Sequence, residues 1–180
     1  MEIHRYEKLW FGVSLLLIVG FIATITFGAV GAGIEMVNDD GGTVDPDAFG
    51  EYEIRDGTTF ADIQEPQATH VEGNEYEIAV EARTFFFNPG GPEPTFDRIQ
   101  VPENSEVTFY ITSPDVIHGF DVVGTNVNTM VIPGEMTKIT VEFDEPGEYG
   151  IVCNEFCGAG HETMEGKLEV VPENEWGGDA

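Results

Sequence analysis

Hydrophobic and polar positions divide the chain into two regimes. From Leu9 to Ile34 the run LWFGVSLLLIVGFIATITFGAVGAGI carries no charged residue. A bilayer core takes about 20 apolar residues as helix, so the run predicts one membrane span over 9–34. A cleaved signal peptide is the alternative. Its apolar stretch would be about 7–15 residues, shorter than this one, although Ala29 and Ala32 offer small residues for a cut. Arg5 and Lys8 precede the run, and Glu35, Asp39 and Asp40 follow it. Positive flanks stay on the cytoplasmic side, so residues 1–8 are expected inside the cell and the bulk of the chain outside. Trp10 stands where an interfacial aromatic would anchor the helix.

After the span the pattern weakens, then changes period. Residues 35–73 are acidic and interrupted by Gly, Pro, Asp and Thr, which reads as a tether or a surface wrap. Two stretches in it, Phe49–Ile54 and Phe60–Ile63, could pack locally. From Tyr76 onward the period is two. Ile78 and Val80 share one face, as do Val107, Phe109 and Ile111, and again Ile139, Val141 and Phe143. Shorter β-rich runs lie at Gly119–Val123, Glu148–Val152 and Gly166–Val171. Turn residues punctuate them at Pro102–Asn104, Pro133–Gly134 and Pro146–Gly147. Short alternating strands between such turns predict an all-β sandwich or closed barrel over 74–172, with 173–180 as a tail. Gly90–Pro94 reads as a surface loop.

Charge narrows the function. The 180 residues hold 34 Asp and Glu against 7 Lys and Arg, a formal net charge of −27. Such a surface repels nucleic acid. The acidic residues are scattered and lysine is confined to Lys8, Lys138 and Lys167. That distribution suits adaptation to high salt better than steering toward a basic partner. At molar salt charges are screened within about 3 Å, so partners would dock by contact. No glycine-rich phosphate loop and no C-x-x-C-H haem attachment motif is present.

The candidate chemistry sits in Cys153-Asn154-Glu155-Phe156-Cys157-Gly158-Ala159-Gly160-His161-Glu162-Thr163-Met164, a C-x3-C-x3-H-x2-M pattern. Thiolate and thioether beside imidazole select copper. A Cys153–Cys157 disulfide would suit an oxidising compartment, but it leaves His161 and Met164 unexplained. Zinc rarely takes a thioether. Of the other histidines, His4 precedes the span and His70 lies in the 35–73 stretch. His118, in Pro114-Asp115-Val116-Ile117-His118-Gly119-Phe120, is the remaining candidate for a further ligand, with Ile117 and Phe120 expected to bury it in part. A mononuclear blue-copper site needs one cysteine. Two sulfurs that bridge would instead hold two coppers, share one unpaired electron and lower reorganisation on electron transfer.

With these residues in view, the sequence resembles subunit II of the haem–copper cytochrome c oxidases, in the short ba3-type form with one transmembrane helix. The stretches that carry the resemblance are SPDVIHGFDVVGT (113–125), NVNTMVIPGE (126–135) and PGEYGIVCNEFCGAGHETMEG (146–166). It covers Tyr76–Val171 well and Glu7–Val44 loosely. It implies a cupredoxin-like Greek-key β-barrel or sandwich holding dinuclear copper, the CuA centre. Cys153 and Cys157 would bridge, His118 and His161 would each bind one copper, Met164 would bind weakly, and Glu155 would offer its backbone carbonyl. The resemblance also implies oxidase subunit I as partner, the membrane lipid as surroundings, and a soluble donor, cytochrome c or a small blue copper protein. Together with the acidity it points to a salt-adapted archaeal source. Phe85–Phe87 lies where this subtype carries aromatics near the centre, in a core or docking role. The Asn88–Asp97 stretch looks longer than the corresponding family turn.

Overall fold

A computed structural model describes residues 4–28, 40–90 and 98–177. It divides into an N-terminal helix and a β unit. Helix α1 spans Arg5–Thr26. It begins before the uncharged run because the Glu7 carboxylate accepts the His4 N–H at 2.9 Å, closing the first turn. Its 22 residues, at about 1.5 Å each, reach about 33 Å, enough for a bilayer core of about 30 Å. No residue of α1 is buried, so its apolar surface needs lipid or protein around it. The rest of the expected span, residues 29–34 with the possible cut at Ala29 and Ala32, lies outside the described residues, as do Glu35 and Asp39. So do 91–97, the greater part of the Gly90–Pro94 loop and of the Asn88–Asp97 stretch.

The β unit contains twelve described strands: β1 (Glu53–Arg55), β2 (Thr58–Thr59), β3 (Thr69–Glu72), β4 (Glu75–Arg83), β5 (Phe86–Asn88), β6 (Ile99–Pro102), β7 (Ser105–Thr112), β8 (His118–Val122), β9 (Asn128–Val131), β10 (Thr137–Phe143), β11 (Gly147–Val152) and β12 (Glu165–Val171). One sheet runs β10-β7-β4-β3, with β5 also paired to β4. A second runs β6-β12-β11-β8-β9, and β1 and β2 pair separately as a two-stranded sheet. Pairs β4–β7 and β6–β12 are parallel. The alternation read from the sequence sets the register. Ile78 and Ile139 both pair with Phe109, and Val80 pairs with Ile111. Across the gap between sheets, the Phe109 and Phe120 rings lie 5.8 Å apart, and Phe87 meets Phe120 edge-on at 5.5 Å. The result is the all-β sandwich that was expected. Strands β3, β5, β6 and β9 had no clear signal, because three or four residues are too few to display a period.

Of the two forms open to the 35–73 stretch, its described part takes the wrap. Phe60 and Ile63 are fully buried, packed with Ala79, Tyr110 and Met136 on the outer side of the first sheet. Backbone bonds pin it: Val44 N–H to the Gly134 carbonyl at 3.0 Å, and Met136 N–H to the Gly42 carbonyl at 2.8 Å. Arg55 Nε meets the Glu77 carboxylate at 2.7 Å. The expected division between 73 and 74 therefore cuts through the fold, since β3 before it pairs with β4 after it. The tail is also anchored: Trp176 packs edge-on to Tyr76 with centroids 5.8 Å apart.

Candidate metal centre

Strands β11 and β12 are antiparallel neighbours, with Val152 paired to Glu165. The segment Cys153–Met164 is therefore a loop whose two ends meet, and Cys153 N–H donates to the Met164 carbonyl at 3.2 Å. A short 3-10 turn, His161–Thr163, turns the chain back toward β12. On the other side of β11 lies β8, which opens with His118. The fold thus brings His118 beside the loop.

The donor atoms converge. His118, Cys153 and Cys157 place ligand atoms within 4.8 Å of one another. Cys153 Sγ lies 3.8 Å from Cys157 Sγ, 3.9 Å from His118 Nδ1 and 3.1 Å from the Glu155 carbonyl oxygen. Cys157 Sγ lies 3.6 Å from His161 Nδ1 and 3.6 Å from Met164 Sδ. Two donors bound to one metal at about 2.0–2.3 Å, at tetrahedral angles, stand about 3.5 Å apart. The spacing and the soft sulfur and imidazole donor set fit copper. A disulfide would need sulfurs at about 2.05 Å. Each histidine faces a different sulfur, one at each end of the pair.

Most of the donors are shielded from water, with Glu155 and His161 half-buried. His118 and Met164 are buried, as are both cysteines. Burial and the neighbouring Cys153 thiol push the Cys157 thiol up to about 11. Two thiolates here would repel, and a bound cation would offset that charge. His118 Nε2 lies 2.9 Å from Asp115 Oδ1, which leaves Nδ1 turned to the sulfurs. Burial alone would raise the Asp115 carboxyl. Hydrogen bonds from Thr84 N–H, His118, Val116 N–H and the Thr84 hydroxyl outweigh it and hold the group well below the usual carboxylate range. At Gly119 a Cβ would fall 2.8 Å from the Asn154 backbone nitrogen, so only glycine lets β8 approach the loop this closely. Asn154 Nδ2 reaches Asn128 Oδ1 at 2.9 Å and ties the loop to β9.

Comparison with known proteins shows the family. The family described as cytochrome c oxidase subunit II, periplasmic domain, matches residues 94–171. The chain is 39% identical to cytochrome c oxidase subunit 2 of Thermus thermophilus over 173 residues, covering 93% of each protein. It belongs to the cytochrome c oxidase subunit II family. As a subunit II it forms part of a haem–copper terminal oxidase, a membrane enzyme. A solved structure of a haem–copper terminal oxidase dimer contains a chain similar to it, with TM-score 0.67 and 31% identity, covering 93% of this chain and all of that one. Similarity extends to subunit 2 of Myxine glutinosa, 34% identical over 76 residues, covering 42% of this chain and 33% of that protein.

All six positions expected from the sequence lie together. His70 does not join them; it is exposed on β3, with its ring 3.2 Å from the Gly73 carbonyl, and His4 caps α1. Ile117, expected to help bury His118, is 44% exposed instead, yet His118 is fully buried. Of the three aromatics at 85–87, Phe87 is core. Asp115 was missed as a supporting residue. Its signal is its position three residues before His118, with Ser113 and Thr84 supplying further hydrogen bonds. Thr84 could not be found this way, because it is far from the site in sequence.

Proposed function

We propose that this subunit II is of the ba3 type and carries a dinuclear CuA centre on Cys153, Cys157, His118, His161, Met164 and the Glu155 carbonyl. The observation that carries the reading is the pair of facing sulfurs with one histidine at each end. When bound, two coppers sharing an unpaired electron supply a one-electron store whose charge change is divided between two ions. The chain's own part is to exclude water, fix the imidazoles and keep the donor atoms from moving. The subunit accepts electrons one at a time from a soluble cytochrome c or blue copper protein and passes them to haem in subunit I, where O2 is reduced. Residues 1–8 are cytoplasmic, 9–34 span the membrane, and the β unit faces outward.

In the β unit, the exposed large hydrophobics among the described residues are Val116, Ile117, Val123 and Phe156. Three of these lie within two positions of a proposed ligand. Arg55, Arg83, Arg98 and Lys167 are each paired with a carboxylate. An apolar rim on an otherwise anionic protein suits donor docking by contact at high salt, in keeping with a halophilic, archaeal source. The deciding experiment is electron paramagnetic resonance of the copper-loaded full chain. Two coppers per chain and hyperfine coupling to two equivalent nuclei are expected. A single-copper pattern would sink the proposal in favour of a blue-copper site.

A further inference from the structure

The turn between β4 and β5 supplies no proposed ligand, yet it touches both halves of the site. Thr84 donates twice to Asp115 Oδ2, from its N–H at 2.9 Å and its hydroxyl at 2.8 Å. The other carboxylate oxygen, Oδ1, takes His118 Nε2 at 2.9 Å, Val116 N–H at 2.7 Å and the Ser113 hydroxyl at 3.0 Å. The next residue, Phe85, leans the other way. A Cβ on Gly160 would fall 2.7 Å from its ring, and one on Gly158 3.2 Å from it. The ring therefore lies on bare backbone of the loop that carries Cys157 and His161.

We infer that Thr84 is a positioning residue that tunes His118 through Asp115, while Phe85 holds the facing loop in place. The inference rests on the copper reading above. Each donor to a carboxylate draws electron density from it. With the Thr84 hydroxyl in place, Asp115 pulls less on the His118 Nε2 proton than it otherwise would. Without that hydroxyl the pull grows, and Nδ1 becomes a stronger donor to an oxidised metal. A stronger donor stabilises the oxidised state and lowers the reduction potential. Thr84→Val keeps the shape and the N–H and removes only the hydroxyl donor.

The test is redox titration of the copper-loaded full chain in detergent, with resonance spectra taken on each variant. Thr84→Val is expected to keep both coppers and shift the midpoint downward, with Thr84→Ser staying at the wild-type value. Asp115→Asn is expected to shift the midpoint upward, because a neutral amide accepts less strongly. In the Asp115→Asn background, Thr84→Val is expected to have no further effect. An unchanged or raised midpoint in Thr84→Val overturns the inference, and so does an equal shift in both backgrounds. Should Thr84→Val fail to hold copper, the His118 Nε2–H proton resonance without copper reads the same bond. It is expected to move downfield, and a fixed resonance overturns the inference. Failure of the wild-type chain to show a two-copper spectrum would count against the copper reading, not against Thr84.

Discussion

Two buried regions of the β unit differ in how they are built. The proposed metal centre lies at the ends of β8 and β11, and residue types define it: two thiols, two imidazoles and a thioether. The second region is the outer face of β4 and β7 under the 40–73 wrap, and it is defined by coverage. Along β4 every residue from Tyr76 to Ala82 is buried, including Glu77 and Glu81. Both carboxylates are satisfied: Glu77 by Arg55 and Tyr110, Glu81 by Arg83 and Asn88. A polar residue on a strand is thus no guarantee of a solvent face. The proposed centre would concentrate function in particular donor atoms, whereas the wrapped face concentrates stability in buried volume.

The sharpest break in that contrast comes from the sulfurs. Cys153→Ser or Cys157→Ser is expected to abolish the two-copper resonance spectrum while leaving the chain folded, since a hydroxyl cannot bridge copper as a thiolate does. Circular dichroism and copper analysis on the same sample separate the two effects. Retention of a two-copper signal in either variant would remove the distinction between the regions.

The opposite behaviour is expected at Phe60. Its side chain is fully buried between the wrap and the sheet. Phe60→Ala should cost about 3–5 kcal/mol of stability by transfer and cavity terms. The copper spectrum should not move, because no part of the Phe60 cluster belongs to the donor set. Denaturant unfolding of the full chain, paired with resonance spectra, checks both halves of this expectation.

The same contrast explains what could be read from the sequence. Cys153, Cys157, His161 and Met164 announce themselves through rare residue types at short spacing, and His118 follows as the histidine left over. The core strands β4, β7 and β10 announce themselves through alternation. The wrap does neither. Phe60 and Ile63 are isolated apolar positions in an acidic stretch, and their partners Ala79, Tyr110 and Met136 are dispersed along the chain. Thr84 and Asp115 form a contact across 31 positions, which no local pattern records. Local chemistry and local period are legible in one sequence; pairings between distant polar residues depend on the finished fold.

Alkaline pH should also distinguish the regions. Burial first, then the charge of Glu77, pushes the Tyr110 hydroxyl from its ordinary value of 10.0 up to about 12. Its proton is held more tightly in the folded chain than in the unfolded one. The associated stability is whole below pH 10 and is lost as pH rises toward about 12. Tyr110→Phe is expected to flatten this part of the stability profile. A profile equally steep in the variant would mean that alkaline loss arises elsewhere.

The smallest expected effect lies between the regions, on β9. Thr129 faces Phe120 in the register of β8 and β9 and is 1% exposed. Its hydroxyl is buried without a hydrogen-bond partner among the described residues. A buried hydroxyl with no partner carries a desolvation cost and no return, and valine has nearly the same shape. Thr129→Val is therefore expected to stabilise the fold by about 1 kcal/mol. Because β9 also carries Asn128, which holds Asn154 of the metal loop, the copper spectrum must stay unchanged for the gain to count as a packing effect. A loss of stability would mean that the hydroxyl has a bound water or another partner, and that this part of the sandwich is built for polarity.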